Sequence, residues 1–262
     1  MFYPEHPDEL HNQVVDLLRR AEPDVVGGVV RGLVSPHAGY VYSGYTAAHG
    51  FSLLQGNTYE VVVVVSPSHH EYFDGISVYP GDAYRTPLGD VPVDVTTREL
   101  LLKESPVVSE SHRGHGPEHA IEVQIPFLQL VVKNLTILPI VMGDQRREYC
   151  LELGRAIGNT VKGKDYLLVA SSDLSHYYPS PVACSLDKVM VDDIERFDAE
   201  QLMSDLETKK TEACGGGPVV SVLEALHQLD IRKIKVLHQC NSGDVTGDRS
   251  SVVGYCSAVA YT

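Results

Sequence analysis

Positive charge is scarce in this chain. Its 21 lysines and arginines face 35 aspartates and glutamates, a formal net charge of -14. At a pI near 5.2, such a surface repels phosphate backbones and anionic lipid, so neither nucleic acid nor a membrane is expected as a partner. No apolar run approaches the length of a membrane span. The opening stretch, Met1-Phe2-Tyr3-Pro4-Glu5-His6-Pro7-Asp8, is polar and acidic and does not read as a signal peptide. Cysteine is sparse too: Cys150, Cys184, Cys214, Cys240 and Cys256 are odd in number and show no C-x-x-C spacing. Reduced thiols in a cytoplasmic protein fit that usage better than a disulfide framework. G-x-S-x-G, H-E-x-x-H and G-x-G-x-x-G are all missing, so serine hydrolase, zincin and Rossmann dehydrogenase readings lose their usual signals. Repeats, low-complexity tracts and linkers are absent as well, and residues 1–262 are expected to form one α/β domain.

Histidine, by contrast, is plentiful at 12 residues, which points toward metal chemistry. Val61-Val62-Val63-Val64-Val65 reads as a strand buried on both faces. Ser66-Pro67 ends it, and His69 and His70 stand just beyond. Two further stretches repeat the arrangement: Gly32-Leu33-Val34-Ser35-Pro36-His37, and Leu167-Leu168-Val169-Ala170-Ser171-Ser172-Asp173-Leu174-Ser175-His176. Ligands bind at the carboxyl edge of an open parallel sheet, so the three tips are expected to converge on one pocket.

Hydrophobic periodicity predicts strands over 25–34, 60–66, 76–79, 91–95, 135–141, 165–171, 234–239 and 251–261. Helices are predicted from residue 7, over 43–54 with Ser43 as cap, and over 96–103, 147–160, 181–197 and 199–206. Cys214-Gly215-Gly216-Gly217-Pro218 opens a further helix that runs to residue 229. A helix over 119–132 has to kink or split at Pro126. Residues 84–90 read as a turn-rich link, and Pro92 puts its strand at an edge. Residues 105–118 read as a polar loop in which His112 and His115 shield the pocket.

Taken singly, these candidates have ordinary readings. His37 alone is a hydrogen-bonded loop histidine. Asp173, three residues before His176, could cap a helix, orient a histidine, or share an acid/base or metal site. His119 and Glu122, with Glu118 and His115 just before them, serve equally as a solvated helix start or as general base and supporting groups. His69 and His70 adjoin, so their side chains point apart and one of them is expected in a shared site. Cys214 is the one cysteine with a reactive context: a thiol beside a helix N-terminus tends to a lowered pKa, and its thiolate ligates metals. A plain turn or an anion nest is the alternative for its glycines. Two histidines with a thiolate suit zinc, copper or Fe(II), and two histidines with a carboxylate suit non-haem Fe(II). The residues do not choose between these sets.

Five stretches, in order, resemble the MEMO family. They are Ser35-Pro36-His37-Ala38-Gly39-Tyr40-Val41-Tyr42-Ser43-Gly44, Ser66-Pro67-Ser68-His69-His70, Tyr84-Arg85-Thr86-Pro87-Leu88-Gly89, Glu118-His119-Ala120-Ile121-Glu122-Val123-Gln124-Ile125-Pro126-Phe127-Leu128-Gln129 and Ser171-Ser172-Asp173-Leu174-Ser175-His176. The resemblance covers nearly the whole chain. It implies a fold similar to class III extradiol dioxygenase catalytic subunits: a central, largely parallel sheet with helices on both faces. It also implies a pocket that binds iron or copper through His37, His69 and Cys214; the donor set itself leaves zinc possible. His69 rather than His70 follows from the motif. Asp173 and His176 match further pocket residues, and His119 and Glu122 match the family's H-x-x-E segment, so these four are the implied catalytic or supporting groups. A cysteine stands where the dioxygenases carry a carboxylate, so ring cleavage does not carry over with the fold. Family members usually carry a few more residues before the aromatic-Tyr-Pro stretch, which here is Phe2-Tyr3-Pro4 and bears on the pocket's amino-terminal wall.

For function, the resemblance implies metal-dependent redox chemistry on a small-molecule substrate, with radical-SAM and AMMECR-type proteins as partners by association. Metazoan relatives are linked to phosphotyrosine-peptide recognition, which implies a second reading: a non-catalytic peptide- or ligand-binding module with a vestigial metal pocket.

Overall fold

The computed structural model describes residues 2–262. Helix α1 (Pro7–Arg20) starts on a proline, with Asp8 and Glu9 in its first turn and Arg19 and Arg20 in its last, as the helix dipole favours. Then come β1 (Val30–Ser35), α2 (Tyr40–Ser52), β2 (Val61–Pro67), β3 (Ile76–Val78), β4 (Ala83–Thr86), β5 (Gly89–Pro92), α3 (Val95–Glu104), β6 (Val108–Glu110) and α4 (Ile125–Val131). The second half holds β7 (Ile137–Met142), α5 (Arg147–Val161), β8 (Tyr166–Ser171), β9 (His176–Tyr178), α6 (Ser180–Arg196), α7 (Ala199–Glu207), α8 (Gly216–Gln228), β10 (Lys233–Asn241), α9 (Ser242–Thr246) and β11 (Val252–Tyr261). No helix among the described residues is long and apolar enough to cross a membrane.

The strands form a central sheet in the order β10-β11-β1-β8-β2-β7-β3-β6, with β9 paired to β11. Its middle, β1-β8-β2-β7, is parallel. Beyond that, β11 and β3 run antiparallel to β1 and β7. All five valines of β2 are fully buried, as the unbroken run predicts. Val61, Val63 and Val65 enter a core with Leu153, Met190, Leu202 and Leu223 of α5, α6, α7 and α8. Val62 and Val64 enter the opposite core with Leu10, Phe51 and Phe127 of α1, α2 and α4. Helices therefore cover both faces, and burying each such side chain contributes roughly 1.5–3 kcal/mol.

The register sets the height of the tips. Ser35 of β1 pairs with Ser171 of β8, and Val65 of β2 with Ala170. The three central strands thus end level, and the residues after them share one edge.

Several boundaries differ from the sequence expectations. The first strand begins at Val30; Val25 is 89% exposed and belongs to the loop. Helix α2 begins at Tyr40, and the Ser43 hydroxyl donates to the Ala38 carbonyl instead of capping. Residues 84–90 belong to the β4–β5 hairpin, whose turn takes Gly89 to φ +115. Residues 120–124 form turns, and Pro126 starts α4 rather than kinking a longer helix. Strand β6 lies within the stretch expected as a loop. His176 lies in β9, so its spacing from Asp173 is not that of a helical turn.

Candidate metal centre

Strands β1, β2 and β8 hand on to Pro36-His37, Ser68-His69 and Ser172-Asp173 at the level edge. Cys214 arrives from the loop before α8. That loop packs on the tip of β8 because Gly215 has no side chain: a Cβ there would lie 2.2 Å from the Ser171 carbonyl oxygen. Gln145 pins the loop, its Nε2 donating to the Cys214 carbonyl (2.8 Å) and its Oε1 accepting from the Gly217 N–H (2.8 Å).

His37, His69 and Cys214 each present one donor atom within 4.8 Å of the others. His37 Nε2 is 3.1 Å from Cys214 Sγ, and the two imidazoles meet edge-on at 5.0 Å between centroids. Each imidazole has its Nδ1 engaged by the protein: His37 with Ser171 Oγ at 2.9 Å, His69 with Glu118 Oε1 at 2.9 Å. Asp173 closes the cluster from below. Its Oδ1 accepts from the His37 and Ala38 N–H groups (2.8 and 3.3 Å), and its own N–H points at Cys214 Sγ (3.3 Å).

Glu118 is more than a helix-start acid. Its Oε2 accepts from the His69 N–H at 2.5 Å, and its Oε1 also accepts from the His119 and Ala120 N–H groups, each at 2.9 Å. Burial opposes its ionisation, but the His69 and Ala120 donors outweigh that and hold the carboxyl at about 2. As a carboxylate it can only accept, so His69 Nδ1 carries a proton, and in the neutral imidazole the lone pair falls on Nε2. His69, Glu118 and His119 also bring three donor atoms within 4.8 Å. There, however, the Glu118 oxygens are already taken by four N–H groups, which makes this set a support for His69.

Burial pushes the Asp173 carboxyl up to about 7, against its two backbone hydrogen bonds. Burial likewise pushes the His37 imidazole well down and the Cys214 thiol up, the latter helped by Asp173. The lowered thiol expected from the α8 N-terminus is therefore not found. The sulfur is desolvated beside a carboxyl group, and Gln145 already takes the Gly217 N–H.

His37, His69 and Asp173 line a cavity of about 660 Å³ together with His119, His176, Phe2, Tyr42, Tyr177 and Tyr255; Cys214 is not part of the lining but lies against His37. The His119 ring is sandwiched between Phe2 (3.9 Å) and His69 (4.9 Å), so Phe2 supplies the amino-terminal wall. Burial lowers His119 to about 4 and also lowers His176, which keeps both imidazoles neutral near pH 7. Tyr177 stands at the mouth, 76% exposed and held at φ +66, a conformation rare for a bulky residue.

Of the residues expected here, His37, His69, Cys214, Asp173, His176 and His119 come together. Glu122 does not line this cavity. It faces a neighbouring one of about 440 Å³ with Tyr84, His115 and Glu118, and the Tyr3 hydroxyl approaches its carboxyl. His115 bonds Tyr84 (2.7 Å) and His112 packs on Tyr79, so neither shields the main pocket. The ring of His70 is exposed, 6.3 Å from His119. Ser171, Gln124 and Gln145 escaped the sequence reading, because nothing in their local pattern marks a partner far along the chain.

The class is now defined: an α/β protein whose central sheet is flanked by helices, with a His/His/Cys donor cluster beyond the carboxyl ends of its parallel strands. The chain belongs to the Memo-like protein family, whose family model matches residues 1–259. A MEMO1 family protein of Methanocaldococcus jannaschii is 38% identical over 275 residues, covering 99% of this chain and 96% of that protein. A MEMO1 family protein of Thermotoga maritima is 36% identical over 272 residues, covering 100% and 97%. Among solved structures, an uncharacterized protein of Escherichia coli K12 matches at a TM-score of 0.62 with 17% identity, covering 88% of this chain and 100% of that one. That likeness speaks to the fold alone.

Proposed function

We propose that this is a metal-dependent redox protein acting on a small molecule, with His37, His69 and Cys214 as ligands of iron or copper. The observation that carries the reading is the meeting of three donor atoms, from three separate loops, within 4.8 Å, two of them on histidines that line one cavity. The residues fit such an ion: each imidazole has its Nδ1 engaged by a protein group, leaving Nε2 for a ligand, and a thiolate suits iron, copper or zinc. When bound, the ion would supply a Lewis-acidic, redox-active centre.

The chain's own groups have distinct tasks in this reading. Asp173, with its carboxyl near 7, holds or releases a proton at the pocket floor close to neutral pH. His176 and His119 stay neutral and accept protons from a bound substrate. Phe2 and Tyr255 exclude water from the inner end, while Tyr42 and Tyr177 flank the entrance. Metal analysis after anaerobic reconstitution with Fe(II) or Cu(I) tests the reading. One ion per chain is expected in the wild type and a large loss in Cys214→Ser. Failure of the wild type to hold metal would sink it.

One observation favours a second reading, a peptide- or ligand-binding module without turnover. Val41 and Tyr177 are 71% and 76% exposed, and Tyr177 lies at the cavity mouth. Peptide binding that survives metal removal, with no oxygen consumption by loaded protein, would favour the module.

A further inference from the structure

Gln124 is fully buried and does not line the cavity. Its amide Nε2 donates to the Pro36 carbonyl (3.0 Å) and to Ser171 Oγ (2.8 Å). Its Oε1 is buried with no partner at all. The amide orientation is nevertheless forced. The Pro36 carbonyl can only accept, so the nitrogen must face it, and a flip would set oxygen against oxygen. A buried, unsatisfied oxygen is unfavourable and needs a reason.

Ser171 supplies the reason. Its Oγ lies 2.7 Å from the Ala120 carbonyl, which also can only accept, so the single hydroxyl proton goes there. The oxygen's lone pairs are then left to receive donors. One is the Gln124 amide. The other neighbour is His37 Nδ1 at 2.9 Å. With the hydroxyl proton committed, Nδ1 must carry its own proton, and Nε2 keeps a lone pair 3.1 Å from Cys214 Sγ.

We propose that Ser171, held between the Ala120 carbonyl and the Gln124 amide, is a positioning residue that fixes His37 in the Nδ1–H tautomer, so that Nε2 faces Cys214 and the cavity as an electron-pair donor. The use of that donor rests on the metal reading; the tautomer does not. His69 reaches the same tautomer by another device, the Glu118 carboxylate. The two imidazoles are thus set alike by unlike partners. The one open to the cavity has a charged acceptor. The buried one has a neutral relay, which adds no second carboxylate to a floor that already holds Asp173.

Side-chain ¹⁵N NMR on the full chain, stripped of metal by chelation and held at alkaline pH, tests this. The His37 signals are assigned by their loss in His37→Gln. The wild type is expected to show His37 protonated at Nδ1 and bare at Nε2. Ser171→Ala removes the acceptor, and Gln124→Met removes the amide that occupies the hydroxyl oxygen. Ser171→Ala is expected to raise the Nε2–H population of His37 and leave His69 as it was, whereas Gln124→Met, in which the Ala120 carbonyl still takes the hydroxyl proton, should keep the Nδ1–H form. Metal affinity, titrated separately, should fall about 10–100-fold in Ser171→Ala. Wild-type His37 protonated at Nε2 overturns the proposal with no variant needed. So does a His37 tautomer unmoved by Ser171→Ala. A wild type that binds no metal but shows the Nδ1–H tautomer would sink the functional reading and leave this one standing.

Discussion

Glu118→Gln probes the support beneath His69. The carboxylate receives four N–H groups, His69 N at 2.5 Å on one oxygen and His69 Nδ1, His119 N and Ala120 N at 2.9 Å on the other. An amide offers one accepting oxygen and one donating nitrogen. With its oxygen toward the three donors, its nitrogen meets the His69 backbone N–H. Reversed, the nitrogen meets two backbone N–H groups and forces His69 to give up its Nδ1 proton. Every orientation leaves at least one N–H facing another donor, and the side chain is only 3% exposed, so water cannot step in. An orphaned buried group costs about 1–3 kcal/mol and a lost charged hydrogen bond about 1.5–3 kcal/mol. Allowing for overlap between them, the loss should be about 2–4 kcal/mol. Urea unfolding of metal-free protein at pH 7 reads this as a lower midpoint at unchanged slope. A parallel anaerobic Fe(II) or Cu(I) titration should show a fall of about 10–100-fold, since His69 loses its fixed tautomer and direction. Stability within about 0.5 kcal/mol of wild type, a surface-like effect, together with unchanged metal affinity, would refute the role assigned to Glu118.

What was legible in the chain follows from how far each signal reaches. The valine run of β2 had to be a strand buried on both faces, because no amphipathic period breaks it. The strand-end histidines could then be placed at one edge by topology alone. The ligand candidates His37, His69 and Cys214 came from the family resemblance, and the structure brings their donor atoms together. The groups that orient them were hidden. Ser171 lies 134 residues from His37, and Gln124 lies 88 from Pro36. A buried glutamine or serine looks the same in sequence whether it satisfies a stray carbonyl or sets a tautomer. Glu122 went astray for a related reason. Helical spacing would have put it on the His119 side, but the segment is a turn that Pro126 closes into the start of α4, and its side chain looks into the next cavity. A helix N-terminus lowers a thiol only where burial does not outweigh it, and at Cys214 burial pushes the thiol up.

Asp193 is 1% exposed, with one oxygen unpartnered, and burial together with the Asp205 charge pushes its carboxyl up to about 6 from an ordinary 3.8. The folded state therefore binds the extra proton between about pH 4 and 6, and stability falls as pH rises through that window. Asp193→Asn should remove that fall, so a wild type and variant that lose stability equally between pH 4 and 7 in urea unfolding would refute it. Phe127, fully buried and stacked on Phe51 at 4.8 Å, should cost about 3–5 kcal/mol as Phe127→Ala by the same assay, and a loss under about 1 kcal/mol would deny the α2–α4 core its weight. Gly215→Ala separates the site from the scaffold. The residue's φ of -110 suits alanine, but the added Cβ would lie 2.2 Å from the Ser171 carbonyl oxygen and 2.8 Å from the Ser172 side chain, so the Cys214 loop must lift off β8. Because that lift carries Cys214 Sγ away from His37 while β8 itself stays paired on both sides, metal affinity should fall at least about tenfold, as for other supporting positions, with the unfolding midpoint moving far less; a variant that binds metal as the wild type does would show that the sulfur is not held by this contact.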